Sequence, residues 1–578
     1  MRHELLTRWG RELDPDSVLT EHPRPQLVRD SYLNLNGWWD YAISPAFDPP
    51  PREPDGRILV PFSPEASLSG VGRQLQRHQR LRYRRRVEVP DGFAPDGGRL
   101  LLHFGAVDQS CTVLVDGVEV GRNLGGYLPF SCDVTQALRS GSGELVVDVR
   151  DLSDGRQHAS GKQRLNRGGI WYTAQSGIWQ TVWLEAVPRL YVERLTLVPD
   201  LADGSVEVTV HARQGRARVR LHGVETVVEV NVPTRVPVRE VRPWTPEDPH
   251  LYDVEVDLGQ DRVRSYVGLR SFGVGPDERG VPRLLLNGAP YLHVGVLDQG
   301  YWSDGLLTAP ADAAMVHDIA TMKGLGFTML RKHLKIEPLR WYHHCDRLGM
   351  LVWQDLVNGG GRYRTAAVTW PGRYPIRLDD TRHRGPLGRA DEAGRRLFRS
   401  ETRRTVDHLR NVPSLATWVA FNEGWGQFDA NEMAAELRRL DGTRLVDQAS
   451  GWHDQGGGDL HSLHAYGRRV RLPRRRDGRA LALSEYGGHQ LPLAGHVYDD
   501  EHTYGYGEEH SSAALARSFL RLHARVAAQV RRGLGATVYT QLCDVEDEVN
   551  GLLTYDREVL KLEPDLVREA LGMLRLPE

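Results

Sequence analysis

A chain of 578 residues is longer than one hydrophobic core can organise, so two to four domains are expected. Its 74 basic and 76 acidic residues leave a formal charge of −2, without the basic excess of a nucleic-acid binder. Hydrophobic content of 40% is ordinary for a soluble globular protein, and no apolar stretch approaches the ~18 residues of a membrane span.

The first residues, Met1 to Leu19, scatter charges where a secretory signal would be apolar. Four widely spaced cysteines without a CxxC pair favour reduced thiols, which together with the N-terminus predicts a cytoplasmic protein. Cys111 and Cys132 could still be strand neighbours joined by a bridge. Up to about residue 187 the pattern is short alternating runs, such as Arg99–Phe104, Cys111–Val115 and Glu144–Val149. Asp116-Gly117 gives a hairpin turn between Val115 and Val118. With no long helical pattern, residues 1–187 read as a β-sandwich of jelly-roll type. Residues 188–276 continue with period-two runs, among them Val206–Val210 and Leu251–Val256, and suit an immunoglobulin-like sandwich.

After Asn287-Gly288 the pattern becomes strand, loop, helix, repeated. Expected strands are Tyr291–Val296, Thr328–Arg331, Met350–Gln354, Thr417–Phe421, Arg444–Asp447, Asp459–Leu463, Leu481–Ser484 and Thr537–Gln541. Helical patterns lie between several of them. Eight β/α units over residues 277–578 match a (β/α)₈ TIM barrel, whose chemistry sits at the C-terminal ends of the strands. Asn358 to Gly394 is long for a loop, carries Gly359-Gly-Gly361 and several arginines, and is expected to act as a lid on the substrate side.

Two apolar runs end in a carboxylate followed by glycine. Trp418–Phe421 runs into Asn422-Glu423-Gly424, and Ala480–Ser484 into Glu485-Tyr486-Gly487. A carboxylate buried without a partner at such a place costs several kcal/mol, roughly 2–7 for a polar group and more for a charge. Glycosidic bond cleavage, in contrast, uses two carboxyl groups: one protonates the leaving oxygen and the other attacks the anomeric carbon. Glu423 and Glu485 are the candidate catalytic pair. Their environments must differ, since one works protonated and the other ionised.

Polar and aromatic residues around the other strand ends are candidate sugar contacts. Asn422 suits a 2-hydroxyl, Tyr466 the nucleophile's carboxylate, and Arg331 the charge that keeps that carboxylate ionised. Asp298, His333, Gln354, His464 and Asp544 are candidate hydroxyl ligands; Trp353, Trp425 and Trp452 are candidate stacking faces. No metal is called for, since the histidines and aspartates from Trp452 to His464 lack metal-ligand spacing. No cofactor is expected either. A metal-dependent hydrolase and a catalytically inactive carbohydrate-binding protein remain as alternatives.

The chain resembles glycoside hydrolase family 2 over nearly its whole length. Pro23–Tyr41 is similar to the start of that family's sugar-binding jelly roll, and Ser176–Leu184 to its "GIWR-x-V-x-L" strand. Val267–Phe272 resembles the "G-x-R" exit of the immunoglobulin-like domain. In the barrel, Met329-Leu-Arg331, Cys345–Val352 and Phe421-Asn-Glu423 match further motifs. The resemblance implies a retaining exo-β-glycosidase acting on terminal β-linked sugars, β-galactoside by default, with Glu423 as acid/base and Glu485 as nucleophile. Dimers and tetramers are common in the family, so a homo-oligomer is compatible with the resemblance. Two departures stand out. Arg331-Lys-His-Leu-Lys335 replaces "R-x-S-H-x-P", and Val549–Asp556 lacks the lysine with which glucuronidases hold a uronate.

Overall fold

The structure is a computed structural model that describes residues 4–577 apart from 50, 52, 156, 373, 375, 467–471 and 474–476. Two residues of the expected lid therefore lie outside the described residues. The N-terminal sandwich pairs a four-stranded sheet, in the order 32–34, 182–187, 99–104, 130–133, with a six-stranded one. The six run 56–60, 37–45, 79–88, 142–150, 110–115, 118–124. Every second side chain of Leu81–Val87 and Leu145–Val149 turns inward, so Leu81, Tyr83, Val87, Val147 and Val149 share one buried cluster. This is the period-two alternation that a half-buried strand demands. All four cysteines are buried free thiols, so Cys111 and Cys132 form no bridge.

A second sandwich follows, of three strands (194–200, 205–211, 234–237) facing four (216–221, 224–229, 252–258, 261–267). Its core is mostly valine and leucine, including Val206, Val208, Val219, Val256 and Val263.

The barrel strands are β1 His293–Asp298, β2 Met329–Lys332, β3 Leu351–Asp355, β4 Leu415–Val419, β5 Leu445–Asp447, β6 Leu460–Ala465, β7 Ala480–Gly487 and β8 Leu534–Thr540. They form one parallel sheet in the order β5-β4-β3-β2-β1-β8-β7-β6, a barrel closed except for a missing ladder between β5 and β6. All eight expected strands are present. The expected helices are found at Asp312–Gly324, Leu339–Leu348, Glu392–Leu409, Ala430–Leu440 and Ser512–Val530, with a further one at Pro564–Gly572. The eight strand–helix units are incomplete: among the described residues no helix joins β5 to β6 or β6 to β7. The connection from Gln448 to Asp459 is rich in glycine, which disfavours helix.

Strand alternation divides the barrel residues in two. Leu297, Met329, Leu351, Trp353, Val419, Ala482 and Val538 pack together, while Val296, Leu330, Val352 and Leu483 join the cluster that includes the helices. The N-terminal domain is tied to the barrel rim by a bridge between Ala159 and Gly359 and by Ser160 and Gly161 N–H bonds to the Asn358 carbonyl at 3.0 and 2.8 Å. A Cβ on Gly359 would lie 1.8 Å from the His158 carbonyl oxygen, so this approach requires glycine. Among the described residues no helix is long and apolar enough to cross a membrane.

Candidate active site

β4 leads to Glu423, just past its end at Val419, and β7 carries Glu485 near its own end, so both carboxylates stand at the C-terminal rim of the barrel. Beyond β4, Asn422 bridges Ser450, the Glu423 N–H donates to the Ser450 carbonyl at 2.9 Å, and Glu423 sits at φ 48. A non-glycine residue in this left-handed region is uncommon and is held there by its surroundings. The β6–β7 ladder shifts register after Leu463, bringing His464 opposite Glu485, and the β7–β8 ladder shifts between Leu483 and Tyr486. Such irregularities re-aim side chains at barrel rims. The two catalytic candidates thereby converge: a carboxylate oxygen of each and a ring nitrogen of His464 all lie within 4.8 Å of one another.

The surroundings of the two carboxylates differ. Glu485 is buried and accepts from Arg331 Nη1 at 3.0 Å and from the Tyr466 hydroxyl. Burial alone would push its pKa up. Interaction with His464, Arg331 and His333, with the Tyr466 hydrogen bond, outweighs burial and pulls the pKa down to about 2. Arg331 is itself fully buried, which opposes its charge, yet Asp355 and Glu485 raise its pKa above the ordinary value. Asp355 binds it through both oxygens, at 2.9 and 3.0 Å. Among the described residues Glu423 has a single side-chain contact of this kind, His464 Nδ1 at 2.9 Å, and it opens onto a cavity. The other nitrogen of that ring is 3.0 Å from Ser450 Oγ and 3.5 Å from Glu485.

Arg331 Nη2 also donates to Asn422 Oδ1 at 2.8 Å, which fixes the amide and leaves its buried Nδ2 without a partner among the described residues. A buried donor left unmade is costly, so a hydrogen-bond acceptor is to be expected there. His333 Nδ1 lies 2.7 Å from Asp355; burial lowers the His333 pKa against the pull of that carboxylate. Trp425 packs its ring 6.2 Å from His333 and 5.1 Å from Trp171 of the N-terminal domain. Trp452 lies 5.3 Å from the His464 ring, with its buried Nε1 unpartnered among the described residues.

Four of the expected sugar contacts stand elsewhere. Trp353 faces the barrel interior and donates from Nε1 to His293 Nδ1 at 2.9 Å. Gln354, its neighbour on the strand, points to the opposite side and bonds Tyr342 at 2.5 Å and the Lys335 carbonyl at 2.7 Å. Asp298 pairs with Lys332 at 2.7 Å in a buried network with Glu337 and Lys335, because two buried ammonium groups need carboxylates. Asp544 pairs with Lys561 at 2.7 Å; burial pushes its pKa up to about 6 despite the lysine. Histidines and aspartates of 452–464, which the alternative of a metal-dependent hydrolase would use, are bound to other groups. His453 bonds the Ala367 carbonyl and the Leu378 N–H, and Asp454 is taken by Arg479.

Asp355, a polar strand end in the sequence like Gln354 beside it, orients both Arg331 and His333. Ser450 and Tyr506 had no sequence signal to single them out; Ser450 joins the ends of β4, β6 and β7. Tyr506 stacks on Tyr466 at 3.7 Å and 12°. The cavity above Glu423 has a volume of about 1400 Å³. Its wall includes Gly360–Tyr363 and Pro371–Gly372 of the expected lid, and Arg164 and Trp171 of the N-terminal domain.

Three family models match in succession. They are described as the sugar binding domain of glycosyl hydrolases family 2 (residues 76–188), glycosyl hydrolases family 2 (190–270) and the family 2 TIM barrel domain (284–466). A beta-galactosidase of Photobacterium profundum is 27% identical over 474 residues, 72% of this chain and 42% of the relative. A putative beta-glucuronidase of Formosa agariphila is 26% identical over 44% of this chain and 32% of its own length. The chain thus spans less than half the length of these curated relatives. Among solved structures, a beta-glucuronidase of an uncultured Clostridium superposes with a TM-score of 0.74 at 17% identity, over 95% of this chain and 99% of the other. A beta-galacturonidase of Eisenbergiella tayi gives 0.71 at 18%, over 97% and 100%. At such identities the superpositions show a common fold of three domains. With all three of its domain models matched in order, this chain belongs to glycosyl hydrolase family 2.

Proposed function

We propose that the protein is a retaining β-glycosidase in which Glu485 is the nucleophile and Glu423 the acid/base. The observation that carries this reading is the approach of two differently held carboxylates to within 4.8 Å. Retaining enzymes keep their carboxyl groups ~5–5.5 Å apart, whereas inverting ones need ~6.5–9.5 Å for a water. Glu485, ionised by its cationic neighbours, attacks the anomeric carbon and forms a glycosyl-enzyme as Glu423 gives its proton to the departing oxygen. Glu423 then takes a proton from water, which displaces Glu485. The free Nδ2 of Asn422 suits the sugar 2-hydroxyl, a contact that tightens in the transition state. Tyr466 and Arg331 hold Glu485 and act through it.

The exo mode of attack follows from the family resemblance, and a β-galactoside is the default substrate, in keeping with the names of the nearer curated relatives. The missing lysine at Val549–Asp556 argues against a glucuronide. A metal-dependent reading meets the Arg331 guanidinium 3.0 Å from Glu485, where a second cation would be repelled.

The test is a panel of nitrophenyl β-glycosides, furanosides included, with NMR identification of the first-formed anomer. Hydrolysis with β product, insensitive to chelator and lost in Glu485→Gln, is expected. An α product, or undiminished turnover by Glu485→Gln, overturns the reading.

A further inference from the structure

The cavity of about 1400 Å³ is larger than the ~300–1,000 Å³ typical of a drug-sized ligand. One sugar against the carboxylates leaves much of it for the leaving group. The wall of that space is cationic. Among the described residues it carries, besides Glu423, a single carboxylate, Asp154, against three guanidinium groups, those of Arg77, Arg164 and Arg362. Asp154 is shared, paired directly with Arg77 and 3.9 Å from Arg164 Nε. Mutual neutralisation accounts for Arg77. It does not account for Arg362, which is exposed and has no acidic partner among the described residues.

Arg164 is also unusually well fixed. Its guanidinium lies 4.1 Å from the Trp171 ring centroid and 5.9 Å from that of Tyr363, and both rings line the cavity. Nη1 is further tied to the Gln163 carbonyl at 3.0 Å. A planar guanidinium steadied on aromatic faces is suited to a carboxylate and loses little freedom on binding one. The segment that supplies it is anchored on the barrel rim by the Ala159–Gly359 bridge. Arg362 and Tyr363 come from the expected lid, so two separate parts of the chain bring cations and rings to one wall.

The geometry points to a leaving-group subsite for an acidic sugar, formed by Arg164 and Arg362 with Trp171 and Tyr363. Its place in a reaction rests on the glycosidase reading; its binding chemistry does not. Trigalacturonate and its fully methyl-esterified form share one skeleton and differ in charge. Calorimetric titration of both into the Glu485→Gln protein separates charge recognition from turnover. The acid is expected to bind about tenfold more tightly than the ester, the scale of one or two hydrogen bonds to a charged group. The gap should shrink with added salt, and close when Arg164→Gln and Arg362→Gln are combined. Equal affinity of acid and ester for the protein with both arginines, or a gap that survives their joint substitution, overturns the proposal. Nitrophenyl glycoside hydrolysis by the unsubstituted protein reports on the glycosidase reading separately.

Discussion

Arg331 holds a guanidinium nitrogen 3.0 Å from a Glu485 oxygen, and both side chains are buried. The pair is supported on both sides, by Asp355 behind the arginine and Tyr466 beside the carboxylate. With His464 and His333 nearby, this arrangement sets the protonation of Glu485 and so its pH behaviour.

The ordinary carboxyl pKa of 4.5 falls to about 2 at Glu485, against burial, through His464, Arg331 and His333. A folded-state pKa lowered in this way contributes stability that is complete above the unfolded value and is lost as pH falls from about 4.5 toward 2. Acid unfolding followed by circular dichroism should therefore be steeper between those limits for the native protein than for Glu485→Gln. In kcat/KM profiles, an acid limb above about pH 4 should not arise from Glu485, given its pKa of about 2. Arg331→Met should bring such a limb into view.

Glu423→Ala should lower kcat for a nitrophenyl glycoside by about 10²–10⁴-fold, the range of general acid–base assistance. The loss should be smaller for a dinitrophenyl leaving group, which needs less protonation. Azide should restore turnover and yield a β-glycosyl azide, detectable by mass spectrometry and NMR. Near-normal turnover without azide would falsify the assignment.

Asn422→Ala removes the unpartnered buried donor. A loss of about 10²–10³-fold in kcat is expected, as for other donors that act on developing charge. A 2-deoxy glycoside should be penalised heavily by the native protein and little by the variant. Comparable penalties in both would place the 2-hydroxyl elsewhere.

Trp353→Ala distinguishes barrel packing from sugar stacking. The side chain is wholly buried among barrel-interior residues. Its truncation should cost about 3–5 kcal/mol in denaturant unfolding, with the KM of the remaining folded enzyme little changed. A selective rise in KM at unchanged stability would argue for stacking.

The strands of both sandwiches and the barrel were legible because alternation and apolar runs are local properties. The final catalytic candidates were legible for a related reason: a carboxylate at the end of an apolar run conflicts with burial unless it has chemistry to do. Asp298, Gln354 and Asp544 also stand at strand ends, yet each is consumed by a neighbour that sequence order does not reveal, Lys332, Tyr342 and Lys561. Trp353 and Gln354 also show that a polar or aromatic residue at a rim can face inward or outward, since one residue of register turns the side chain over.

The order of residues by itself determined the three-domain plan and the two carboxylates, because periodicity and the cost of burying charge act within a few residues. The tertiary structure alone decided which groups meet. Glu423 and Glu485 come together only through barrel closure and the register shifts beside β7. Their different partners, and the arginines that the N-terminal domain and lid bring to the same cavity, depend on contacts through space. Electrostatic interaction follows distance, and distance across a barrel is not written in sequence separation.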